Sequence, residues 1–151
     1  HLQRGVSKEA IDKAAEQFGM PMGPVELADT VGLDVGAGVL GTLGGEDSAE
    51  EAALLKKYVD QGKLGTKSGE GFYKWAKGTA VKDKDAVEGV NLLSLAEELM
   101  QPYFDECRAC LEDGIVENRE ALDAGMIFGT GFAPFRGGPL FYLDNRQEAQ
   151  S

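Results

Sequence analysis

The sequence predicts an all-α protein built from two related helical units, and three observations carry that reading. Apolar residues recur at intervals of three and four through most of the chain, the period of a helix with one buried face. Two similar corners each end in Gly-Pro: Phe18-Gly19-Met20-Pro21-Met22-Gly23-Pro24 and Gly131-Phe132-Ala133-Pro134-Phe135-Arg136-Gly137-Gly138-Pro139-Leu140. The run from Gly5 to Asp12 also follows the same plan as that from Gly114 to Asp123, with the corner glycine eleven residues after Asp12 and fifteen after Asp123. The expected division is a first unit over 1–75, a linker over 76–90 and a second unit over 91–151. Two copies of one helical unit on a single chain point to a pseudo-dimer.

Taken in order, Ile11, Ala14, Ala15 and Phe18 form a helical stripe, with Ser7 placed to cap its start and Glu9 in its first turn. The preceding His1 to Arg4 reads as the frayed end of something longer. Its loss would uncover the apolar face near Ile11 and Phe18 and favour self-association. Helices should begin at Pro24 and Pro139, because proline at the first helical position gives up an N–H that has no intrahelical partner and already holds a helical φ. Glu26 sits near the positive end of the first of these. Arg136, Gly137, Gly138 and Pro139 read as structural, the arginine using its five donors to tie down carbonyls left free at helix ends.

Gly36, Gly38 and Gly41 spell G-x-G-x-x-G, a dinucleotide fingerprint that requires a strand leading in and a helix leading out. Here Glu26 to Thr30 lead in with a helical pattern, and Gly44-Gly45 interrupts any helix leading out, so neither a Rossmann domain nor a bound cofactor is expected. Ser48 to Glu51 form a capping box before the stripe Leu54, Leu55, Tyr58 and Val59, with Gly62 as the stop. Gly62 to Trp75 has the glycines and lysine of a phosphate loop, but its Gly-Thr-Lys-Ser order does not fit. A tight loop pinned by Phe72, Tyr73 and Trp75 fits better.

Beyond the linker, Leu92, Ala96, Leu99, Tyr103, Cys107 and Cys110 mark one long helix, with a bend expected at Pro102 and a stop at Gly114. Asn118 then caps a helix carrying Ala121, Leu122 and Met126. Cys107 and Cys110 have the spacing of a redox pair or half a zinc site, but there is no second cysteine pair and the only histidine is His1. No metal site is expected, and the two cysteines read as small apolar packing residues.

The 151 residues carry 26 acidic against 15 basic side chains, a net charge of −11, which argues against nucleic acid or an anionic membrane as partner. No apolar run reaches the length of a membrane span, and no secretory leader opens the chain. A cytoplasmic protein is expected.

Three runs are specific enough to carry a resemblance: Phe18 to Asp34, Gly65 to Tyr73 and Gly125 to Leu140. Together they resemble the C-terminal tandem helical domains of the 3-hydroxyacyl-CoA dehydrogenase part of the multifunctional fatty-acid oxidation complex alpha subunit. The resemblance implies a fold of that C-terminal type. It also implies a parent enzyme that uses NAD, is fused to an enoyl-CoA hydratase and partners a thiolase subunit. Pro21, Met22, Gly23, Pro24 and Leu27 match the segment beside the acyl-CoA cleft. The family's catalytic histidine and its glutamate partner lie in a nucleotide domain that this sequence does not match, so no catalytic residue is assigned. Ala133 stands where the family usually has proline, and Phe141 where it often has a basic residue.

The implied function is therefore a non-catalytic portion of an NAD-dependent 3-hydroxyacyl-CoA dehydrogenase of β-oxidation, walling the substrate cleft and supplying pseudo-dimer packing. The alternative is a helical assembly module with no ligand role. Hydride transfer needs a bound nicotinamide and a general base, and the residues offer neither.

Overall fold

Proline opens a helix at both Gly-Pro corners. The computed structural model describes residues 1–43, 48–130 and 132–148, so Gly44, Gly45 and Gly131 lie outside the described residues. Among the described residues there are seven α-helices: α1 (Lys8–Phe18), α2 (Pro24–Val31), α3 (Leu33–Leu43), α4 (Ala49–Asp60), α5 (Leu92–Glu112), α6 (Arg119–Thr130) and α7 (Pro139–Glu148). The only sheet among them is an antiparallel hairpin of β1 (Lys74–Ala76) and β2 (Thr79–Val81), with Trp75 opposite Ala80. The parallel sheet of a dinucleotide-binding fold is not what these strands form.

Two compact units result, residues 1–13 with 22–90 and residues 14–21 with 91–151, so that α1 is divided between them. In the first, α3 lies against α2 and α4. The Leu33 N–H donates to the Leu64 carbonyl at 3.1 Å, tying the start of α3 to the loop after α4. The stretch 76–90, expected to be a linker, carries β2 and a 3-10 turn at Asp85–Val87. The Ser7 hydroxyl donates to the Ala86 carbonyl at 2.7 Å, which fastens that turn to the start of α1. Strands of three residues are too short to show alternation, so loss of helical periodicity there marked the end of a helix rather than of structure.

Side chains cap most helix starts. Ser7 Oγ accepts from the Ala10 N–H at 3.2 Å, Asn91 Oδ1 from Ser94 at 3.1 Å and Asn118 Oδ1 from Ala121 at 2.8 Å. Ser48, expected to cap α4, does not. It precedes α4 at φ −100°, ψ 10° and makes no side-chain cap, because its backbone is not in the extended conformation that aims a cap hydroxyl at the first turn.

In the second unit α7 packs on α5 and α6. Its core is aromatic: the Phe18 ring meets those of Phe132 at 5.7 Å and Tyr142 at 5.1 Å edge-on, and Tyr103 stacks on Phe132 at 5.6 Å. Pro102 lies inside α5, which continues past it to Glu112. Ile11 and Phe18 are only 4% and 3% exposed, which corrects the expectation of an uncovered face there: the chain's own residues already cover it. Both cysteines are free thiols. Cys107 is buried, and burial pushes its thiol up to about 11. Among the described residues no helix is long and apolar enough to cross a membrane, and no group of three or more His, Cys, Asp or Glu could hold a metal ion.

Candidate functional site

Each Gly-Pro corner is built around a carboxylate on the preceding helix, fully buried at Asp12 and half-buried at Asp123. In the first unit Asp12, on α1, accepts from the Val25 N–H on Oδ1 at 2.7 Å and from the Glu26 N–H on Oδ2 at 3.0 Å. In the second, Asp123 on α6 accepts from Leu140 on Oδ1 at 2.8 Å and from Phe141 on Oδ2 at 3.0 Å. Proline removes the first N–H of the new helix, and the next two are the orphan donors a carboxylate's two oxygens can satisfy. Glycine before the proline makes the room. A Cβ on Gly23 would lie 2.2 Å from Asp12 Cγ, and one on Gly138, at φ +100°, would lie 2.4 Å from Asp123 Cβ. The duplication read in the sequence is thus a duplicated capping device.

The first copy is elaborated. The Tyr73 hydroxyl donates to Asp12 Oδ2 at 2.9 Å, and Tyr73 is itself fixed by its N–H donating to Asp29 Oδ2 at 2.8 Å. Asp29 belongs to α2, the helix that Asp12 caps, so the bonds close a circuit from α1 to α2, to the loop and back to α1. The Phe72 N–H donates to Asp29 Oδ1 at 2.8 Å and the Trp75 indole to Oδ2 at 3.0 Å, giving this fully buried carboxylate three donors. The loop's glycines follow from the same crowding. A Cβ on Gly65, at φ +101°, would fall 2.1 Å from the Asp29 carbonyl oxygen, and one on Gly71 2.2 Å from Asp29 Oδ1. Trp75 and Tyr73 therefore pin the loop, as the residues suggested, and Asp29 is what they are pinned to.

Burial holds the Asp12 carboxyl above its ordinary value, against the Tyr73 hydroxyl, the Val25 and Glu26 N–H groups and the Lys82 charge, which all favour the anion. Burial, then the Asp12 hydrogen bond, raises the Tyr73 phenol. Lys82 pairs with Glu26 and lies 4.0 Å from Asp12 Oδ2. Lys8 and Lys82 both stand over the Tyr73 ring, at 5.2 and 5.7 Å.

Of the residues matched to the cleft segment, Met22, Gly23, Pro24 and Leu27 lie in the first unit, while Pro21, exposed, ends the second unit's share of the corner. Gly23 is buried against Asp12. Pro24 opens α2, and Leu27 stands one turn along it, 45% exposed. Met22 is half-buried, its sulfur 3.9 Å from the Thr30 hydroxyl, which places the methionine along the outer side of the same helix. Exposed apolar residues continue from Leu27 to Val31 and, on α3, to Val35 and Val39. In the second corner the Arg136 Nε donates to the Phe18 carbonyl at the end of α1, and its guanidinium stands 4.2 Å from the Phe18 ring centroid. Gly137 is crowded by the Phe141 ring, 2.4 Å from where a Cβ would be, and Pro139 opens α7.

Gly36, Gly38 and Gly41 fall inside α3, with α2 rather than a strand before them. The Gly36 N–H already donates to the Gly32 carbonyl at 3.1 Å. Amides committed to a helix cannot cradle a pyrophosphate, so these residues do not fit a dinucleotide.

Residues 1–75 match the family described as "3-hydroxyacyl-CoA dehydrogenase, C-terminal domain". They belong to that family. The chain is similar over most of its length to the fatty acid oxidation complex subunit alpha of Shewanella sp. (strain ANA-3), at 37% identity over 159 positions, and to that of Shewanella baltica (strain OS185), at 37% over 158. Each alignment covers 95% of this chain and 22% of the relative, so the chain spans about a fifth of the length of the curated relatives it matches. The family match ends in the aromatic loop, and the similarity to the alpha subunits carries on into the second unit.

Sequence reading missed the carboxylates that hold the two corners. Asp12 and Asp123 stood at matching places in the duplication, and two free N–H groups after each Gly-Pro were the signal that something must accept from them. Asp29 carried no comparable signal, since its partners lie 43 to 46 residues away.

Proposed function

We propose that this chain is the substrate-bordering helical portion of a 3-hydroxyacyl-CoA dehydrogenase of fatty-acid oxidation. In the whole protein it is joined to an NAD-binding domain and an enoyl-CoA hydratase domain, and works in the cytoplasm beside a thiolase subunit. Met22, Gly23, Pro24 and Leu27 border the acyl-CoA cleft, with Pro21 leading into them. The observation that carries the reading is α2 itself: a short helix held at its first turn by Asp12 and in its second by Asp29, presenting Met22 and Leu27 outward. Apolar groups on a fixed helix suit an acyl chain, which offers no polar handle.

The nicotinamide and the general base come from the rest of the enzyme. The glycine motif of α3 does not fit the dinucleotide, and the chain's single histidine is His1. The 151-residue chain alone is expected to produce no NADH from 3-hydroxyacyl-CoA, and the full-length protein to produce it. Met22→Glu in the full-length protein is expected to raise KM for the acyl-CoA with assembly unchanged. Normal kinetics with lost assembly would instead make the chain an assembly module.

A further inference from the structure

We infer that Asp12 is a positioning residue for acyl-CoA binding, acting through the Met22-Gly23-Pro24 corner; this rests on the proposal that α2 borders the cleft. A helix start needs only an exposed serine, threonine or asparagine to be capped. Asp12 is instead fully buried, and a buried carboxylate is costly unless several donors meet it. Three do: the Val25 and Glu26 N–H groups and the Tyr73 hydroxyl. The partner copy, Asp123, caps α7 with the same two N–H bonds. The third donor at Asp12, and the tie from Tyr73 through Asp29 back to α2, are what the first copy adds.

That addition fixes a direction as well as an end. Gly23 has no side chain and Pro24 no N–H, so the corner's path is set by the carboxylate against Gly23 and by the two amides that follow the proline. Met22 leaves this corner and runs along α2 to Thr30. A shift of the corner by roughly an ångström moves the Met22 side chain with it, enough to change binding by an order of magnitude or more.

The test compares Asp12→Asn with Asp123→Asn in the full-length protein, varying 3-hydroxyacyl-CoA at saturating NAD. Asp12→Asn is expected to raise KM about tenfold while kcat stays within about twofold, the signature of lost uniform binding. Asp123→Asn breaks the same kind of cap and is expected to leave KM unchanged while lowering the melting temperature. Should Asp12→Asn not fold, Tyr73→Phe, which leaves both backbone caps in place, is expected to raise KM in the same direction. A KM after Asp12→Asn, or after Tyr73→Phe, no different from that of Asp123→Asn would reduce Asp12 to a cap and overturn the inference. Met22→Glu separates the two readings. If it raises KM and the Asp12 and Tyr73 variants do not, the cleft stands and the positioning role falls. If Met22→Glu leaves KM unchanged, the cleft reading fails and takes this inference with it.

Discussion

The hydroxyl of Tyr73 reaches Asp12 across 61 residues of chain and donates to it at 2.9 Å in the interior of the first unit. This bond joins the aromatic loop to the corner, and it is the only one of the three at Asp12 that does not come from α2. Tyr73→Phe removes it and leaves the rest of the ring in place. A loss of about 1–2 kcal/mol in urea unfolding is expected, the worth of a buried hydrogen bond to a carboxylate. A change indistinguishable from zero would mean that the loop and the corner are not coupled.

Steric room explains why glycine precedes each proline. Gly23→Ala and Gly138→Ala would each drive a methyl into the aspartate behind it, at 2.2 and 2.4 Å from its nearest atoms. Each is expected to cost at least about 2 kcal/mol, measured by chemical denaturation, since the carboxylate cannot withdraw without releasing two amides. Gly38→Ala is the control. It lies inside α3 with nothing within 4 Å of its new methyl, and is expected to leave stability unchanged or raise it by up to about 1 kcal/mol.

Trp75 is the only tryptophan of the chain, and its indole N–H donates to Asp29. Asp29→Asn replaces one acceptor oxygen with an NH2 group, which is itself a donor and cannot accept from the N–H groups that face it. The emission of Trp75 is expected to shift to the red as the loop loosens, with stability falling by about 3 kcal/mol. Unchanged emission would show that the loop is held by its aromatic packing alone, of which the Tyr58–Phe72 contact at 4.7 Å is a part.

The two cysteines are expected to behave differently. Burial first, then nearby negative charge from Cys110, Asp123 and Glu106, pushes the Cys107 thiol from 9.0 up to about 11, so it stays protonated and unreactive at neutral pH. Mass spectrometry after brief iodoacetamide treatment is expected to find the label on the half-buried Cys110 and not on Cys107. Because the folded value is raised, the contribution of this burial to stability is intact below pH 9 and is lost as pH climbs from 9 through about 11. Equal labelling of both thiols in the folded protein would contradict the packing role.

Local signals were the legible ones. Proline after glycine announced the starts of α2 and α7, Ser7 and Asn118 announced their caps, and the stripe from Leu92 to Cys110 announced α5. Each depends on neighbours within one turn. What could not be read depends on pairing across the chain: the three donors that meet Asp29, the short hairpin of Trp75 and Ala80, and the covering of Ile11 and Phe18. Ser48 shows the reverse failure, a correct local pattern defeated by the backbone angle at one residue. The corner carboxylates lay between the two cases, visible as a repeat but not as a mechanism.

We propose that the outer side of α2 faces bound acyl-CoA, and photocrosslinking tests this most directly. A photoreactive acyl-CoA irradiated with the full-length protein is expected to label the peptide carrying Met22 and Leu27, and excess unlabelled acyl-CoA to compete the label away. Competable label found only on other peptides would contradict the account.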